Sequence, residues 1–168
     1  LQNKNEESLI SYKKAIEISK NAIYFNNLGA AYQELNDFEK SEFYFNKALD
    51  LSKAEDKKSI PASYHNLGNL YTYTKNFELA NKNYRKAIEV EPYFVDSFRS
   101  LVRNKDLNLS DIITKNFIRI YDEDLIGDGE SRSTLAFALA ELYEHSNNYK
   151  LASKFYSEAN KLIRKTFS

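Results

Sequence analysis

The chain has 168 residues, with 24 Lys+Arg against 24 Asp+Glu and a formal net charge of zero. That balance excludes a general nucleic-acid-binding face and a polybasic membrane anchor, because both need an excess of cations. The absence of Cys excludes disulfides, zinc-thiolate sites and cysteine nucleophiles, and four Gly with two Pro argue for helices joined by short polar turns rather than a sheet. No apolar stretch approaches the roughly 20 residues of a membrane helix. No signal peptide is visible, so the chain reads as cytoplasmic. It contains no Met, which reads as an excised piece with upstream sequence missing.

In chain order, residues 1–20 carry one helical pattern with Tyr12 and Ala15 on its face. Residues 22–55 follow with Phe25, Leu28, Gly29 and Tyr32, then Asp37-Phe38, then Ser41, Phe45 and Ala48. Lys53 to Ile60 is a charged insert. Residues 61–94 repeat the arrangement with Tyr64, Leu67, Gly68, Tyr71, Asn76-Phe77, Ala80, Tyr84, Ala87 and Pro92. Pro61 suits the first turn of a helix and Pro92 marks an end. Over 95–124 the pattern is degenerate: Val95, Phe98, Leu101 and Val102 suggest one helix. A second, capped by Ser110, would carry Ile113, Phe117, Ile118 and Tyr121. Asp122 to Ser131 reads as an acidic, Gly-containing loop. Residues 133–166 restore the pattern with Ala136, Leu139, Ala140, Tyr143, Asn148-Tyr149, Ala152, Tyr156 and Ala159.

These copies agree in their internal offsets, which a chance match would not produce. The unit of aromatic, Leu-Gly, Tyr and later Ala, aromatic, Ala resembles the tetratricopeptide repeat, a helix–turn–helix of about 34 residues. The resemblance implies an all-α, right-handed α-solenoid of antiparallel helix pairs, with about nine helices, forming a single repeat domain over 1–168. Asp37, Asn76 and Asn148 fit as N-caps of the second helices. Gly29 and Gly68, inside helices, read as places of close approach to the paired helix. No cluster of Gly at a helix start suggests a phosphate-binding loop.

Other chemistry is weak. Asp122-Glu123-Asp124 before Gly127 invites a calcium-loop reading, but Ile126 offers no side-chain oxygen and Ser133 stands where a bidentate Glu is needed. His65 and His145 have no partner at metal-ligand spacing on their own helices. Asn108-Leu109-Ser110 matches a glycosylation acceptor, read as coincidence without evidence of secretion. Aromatic residues are 14% of the chain, and most fall on repeat core positions rather than forming a platform for bases. The expectation is no catalytic residue, no metal and no cofactor.

The resemblance further implies a concave groove lined by the first helix of each unit. Carried onto this chain, it places Asn26, Asn27, Gln33, His65, Asn66, Asn69, Thr72 and Tyr73 there. The expected function is a protein–protein interaction module for a protein or peptide segment, with no nucleic acid or membrane partner. Ile23, Asn26, Ala62 and Asn66 stand where the carboxylate-clamping members of the family would want Lys and Arg. The alternative is a non-catalytic arm of a larger enzyme. The last unit, from Leu135 to Arg164, resembles the one preceding the catalytic domain in bacterial repeat–sulfotransferase proteins. Exposed terminal helices, with Leu162, Ile163 and Phe167 at one end, suggest self-association.

Overall fold

The computed structural model describes the backbone of residues 2–166 and the side chains of 9–165. Among the described residues there are nine α-helices and no strand. They are α1 (Gln2–Ile18), α2 (Ala22–Glu34), α3 (Phe38–Ala54), α4 (Ile60–Tyr73), α5 (Phe77–Val90), α6 (Val95–Arg103), α7 (Ile112–Asp122), α8 (Gly129–His145) and α9 (Tyr149–Thr166). The chain forms two compact units, the first up to Val90 and the second from Glu91.

In the first unit, α2 pairs with α3 and α4 with α5, and α3 packs on α4. Phe45, Leu49, Leu67 and Leu70 form its core, with Phe38, Ile60, Tyr64 and Tyr71 packed around them. Each such buried aliphatic or aromatic side chain contributes roughly 1.5–3 kcal/mol. The two glycines sit where the sequence pattern requires close contact. A Cβ at Gly29 would lie 2.5 Å from the Phe45 ring, and one at Gly68 would lie 2.4 Å from the Tyr84 ring. Both rings are buried. In the second unit Ala140 occupies the same slot, and the equivalent ring, Tyr156, is only half-buried.

The turns within pairs share one construction. Asn36, Lys75 and Asn147 adopt left-handed φ of 60°, 62° and 58°. The next amide donates back across the turn: Asp37 to the Tyr32 carbonyl at 2.9 Å, Asn76 to Tyr71 and Asn148 to Tyr143 at 2.8 Å each. This is the Schellman closure of a helix end. The same residue then caps the following helix. Asp37 Oδ1 accepts from the Lys40 amide at 3.2 Å, and Asn76 and Asn148 accept from Leu79 and Leu151 at 3.3 Å. One residue thereby ends one helix and starts the next, which fixes the turn length and folds the second helix back on the first. α6 and α7 end in the same way, at Lys105 and Asp124.

Three boundaries differ from the sequence reading. Asp111, not Ser110, caps α7, accepting from the Ile113 amide at 2.9 Å. Ser110 is instead held by Asn108, whose Oδ1 accepts from both its amide and its hydroxyl. The acidic loop is shorter than 122–131, because α7 runs through Asp122 and α8 begins at Gly129 on the cap of Asp128, which accepts from the Ser131 amide at 2.6 Å. The charged insert is partly helical: α3 extends to Ala54, and Lys57–Ser59 form a 3₁₀ turn capped by Asp56.

In the second unit, α8 packs on α9, and α6 and α7 pack on α8. The degenerate pair is joined through Phe98 and Phe117, both fully buried and stacked with centroids 4.2 Å apart. Terminal faces are partly apolar: Ile10 and Ile18 of α1 and Ile163 of α9 are exposed. Phe167, counted above with the terminal apolar residues, lies outside the described residues.

Candidate functional site

Within the first unit, α2 and α4 are neighbouring first helices, and a groove of about 610 Å³ opens beside them. α2 contributes Ala30, Gln33 and Glu34, and α4 contributes Asn66, Asn69 and Tyr73, with Phe45 of α3 beneath. The spacing on α4, residues 66, 69 and 73, is one helical face. Gln33, Asn66, Asn69 and Tyr73 of the expected set therefore come together. Ala30, Glu34 and Phe45 line the groove without having been expected there. Register alone could have found two of them, since Ala30 and Glu34 stand one repeat before Asn69 and Tyr73.

The other four lie elsewhere. Asn26 is only 8% exposed, in the joint between α2 and α4, where its Nδ2 donates to Ser63 Oγ at 3.1 Å. That burial removes Asn26 from any contact surface. Asn27 is half-buried on α2 but does not line the groove. On α2 the lining begins one turn later, at Ala30, so Asn27 and Asn66 do not share one cavity although they are equivalent in their repeats. His65 and Thr72 attend Tyr84: the His65 ring lies 5.4 Å from the Tyr84 ring, and Thr72 Oγ1 is 3.0 Å from Tyr84 Oη.

Polar atoms in the groove differ in how far they are already engaged. Asn69 Oδ1 accepts from Tyr84 Oη at 2.8 Å, which leaves its amide nitrogen open. Tyr73 Oη donates to Asn36 Oδ1 at 3.2 Å. Gln33 and Asn66 are half-buried, and their side chains make no hydrogen bond among the described residues. Each free amide can donate and accept at once, as a peptide backbone does. A smaller recess of about 310 Å³ lies in the second unit, with Glu91, Asp96 and Glu130 among its lining residues. Among the described residues no group of three or more His, Asp or Glu is placed to hold a metal ion.

Tyrosine–carboxylate bonds tie helices together in both units. Tyr71 donates to Glu42 at 2.6 Å, and Tyr121 and Tyr156 donate to Glu158 and Glu144 at 2.8 Å. Burial first, and then the accepting carboxylate, push each of these phenols up to about 12. The folded value lies above the unfolded value of about 10, so the contribution to stability is full below that pH and is lost as pH rises through the folded value. We expect unfolding to set in between pH about 10 and 12, together with late tyrosinate absorbance. Circular dichroism and ultraviolet titration check this. Complete ionisation of all tyrosines near pH 10 with the helices intact would contradict it.

These helix pairs, closed by shared caps, define the class: an all-α solenoid of helix pairs. Tetratricopeptide repeat models match residues 21–90 and 134–166, and the chain belongs to the tetratricopeptide repeat family. Neither match extends over 91–133, which includes the pair lacking Leu-Gly. Response regulator aspartate phosphatase A of Bacillus subtilis (strain 168) is 24% identical over 137 residues, covering 79% of this chain and 36% of that protein. The Sol locus transcriptional repressor of Clostridium acetobutylicum is 32% identical over 93 residues, covering 55% of this chain and 26% of that protein. The chain thus spans about a third and a quarter of these relatives' lengths. Among solved structures, MamA superposes with a TM-score of 0.62 at 17% identity, over 98% of this chain and 92% of that one. BtubC from P. vanneervenii gives 0.51 at 18% identity, over 99% and 59%. At these identities the structural likeness shows the fold.

Proposed function

We propose that the chain is a non-catalytic protein-interaction module that holds an extended peptide segment in the groove between α2 and α4. The observation that carries this is the row of amides, Gln33, Asn66 and Asn69, along one cavity with donor and acceptor capacity left unused. Amides bound to a peptide backbone make little demand on side-chain identity, so affinity arises from several modest contacts on a pre-formed surface. The same reading treats residues 1–168 as a single cytoplasmic repeat domain with neither nucleic acid nor membrane as its partner. No helix of the described residues is long and apolar enough to cross a membrane.

The test is a titration with a peptide selected from a random display library. Asn66→Ala should weaken binding by about 0.5–1.5 kcal/mol, more if a peptide group is left buried and unpaired. The melting temperature should barely change, because the side chain forms no bond within the fold. A Gln33→Ala/Asn66→Ala protein that binds like the parent would remove these amides from the mechanism.

A second reading is that the module is the arm of a larger enzyme. It is favoured by the lengths of the two relatives, one of which is a phosphatase by name. Neither is named as a sulfotransferase. Coding sequence on either side of residues 1–168 distinguishes the readings: a catalytic domain would establish the arm.

A further inference from the structure

This inference rests on the groove reading and names the chemistry of one side chain of its ligand. We infer that the end of the groove at Glu34 and Tyr73 receives a cationic side chain, lysine or arginine, of the bound peptide.

α2 ends at Glu34 and α4 at Tyr73, and neither helix has a basic residue in its last turn. Helix C-termini carry a partial negative charge of about half a unit. In α3, α6 and α7 the last turn supplies Lys53, Arg103 and Arg119 against that charge. The two groove helices, like α1 and α5, have no such cation, and their last carbonyls are met by backbone amides. Glu34 adds a full negative charge at the same end. It is exposed and forms no ion pair or hydrogen bond among the described residues. No Lys, Arg or His is among the residues that line the groove.

Tyr73 supplies the second half of the site. The residue is 57% exposed, yet its side chain is held in place, with its hydroxyl bonded to Asn36 and its ring 5.4 Å from that of Phe38. A fixed, open aromatic surface attracts a cation and loses little freedom on binding it. An anionic side chain would meet the carboxylate and two negative helix ends. An apolar one would cover Glu34 without pairing it.

The experiment selects peptides from a random display library on the immobilised full chain and reads both their composition and the response of variants. One position should be enriched in Lys or Arg. Glu34→Gln should bind the basic peptide about 2- to 5-fold more weakly, and should bind its Arg→Gln counterpart as the parent does. Added salt should weaken the parent complex and leave the Glu34→Gln complex nearly unchanged. Tyr73→Leu should also prefer the basic peptide less. Selected peptides without basic enrichment that still lose affinity to Asn66→Ala would overturn the charge inference and leave the groove reading standing. Equal binding of the basic peptide by Glu34→Gln would do the same. No peptide retained above a Gln33→Ala/Asn66→Ala surface would overturn both.

Discussion

Phe98→Ala should cost about 3–5 kcal/mol, a large share of the roughly 5–15 kcal/mol that holds a domain folded. Phe98 is fully buried on α6, and its ring stacks on that of Phe117 of α7. Truncation removes its buried area, leaves a cavity and deletes an aromatic pair worth about 0.5–1.5 kcal/mol beyond area. The effect should be large because this pair lacks the Leu-Gly contact that closes the regular repeats. Ile112→Ala on α7, where the side chain is 69% exposed, should change stability by no more than about 0.5 kcal/mol. Urea denaturation measures both. A Phe98→Ala cost below about 1 kcal/mol would show that the second unit does not depend on the stack.

Gly68→Leu should destabilise by about 3 kcal/mol, and Gly68→Ala by less. A helical Gly→Ala change would ordinarily gain about 0.5–1 kcal/mol. Here the new methyl would stand 2.4 Å from the Tyr84 ring, which must move. That ring is fully buried, and its hydroxyl is tied to Asn69 and Thr72. Phe45, the ring over Gly29, has no hydroxyl to tie it. Gly68→Ala should therefore cost more than Gly29→Ala. Ala140→Gly removes a fully buried methyl, so it should lose the helix-propensity difference of about 0.5–1 kcal/mol and about 0.8 kcal/mol of apolar burial. Thermal melting of the four variants ranks them. A Gly68→Ala protein more stable than the parent would refute close approach as the reason for this glycine.

Features fixed by burial and period were legible in the sequence. Leu28 and Leu67, Ala48 and Ala87, and Phe45 and Tyr84 recur at one offset because each faces the same neighbour in its unit, and all six are buried. Features fixed by one residue of register were not. Ser110 and Asp111 are both good caps; Asn108 decides between them by binding the serine. Gly129 read as loop, yet the cap of Asp128 starts α8 there. The groove suffered most, because adjacent helical residues point about 100° apart. Asn26 and Asn27 differ by one such step, and the way α2 meets α4 turns Asn26 inward to Ser63. Glu34 carries no distinctive signal in the sequence, because a charged residue at a helix end normally marks only a solvated face.

The claim that the groove between α2 and α4 holds a peptide is tested most directly by photocrosslinking. A photoreactive amino acid is placed either at Gln33, in the groove, or at Asn46, which is exposed on α3 and does not line it. The library-selected peptide should crosslink from position 33, should be displaced there by unlabelled peptide, and should not crosslink from position 46. Crosslinking from position 46 alone, or equally from both positions without displacement, would contradict the assignment of this groove as the binding site.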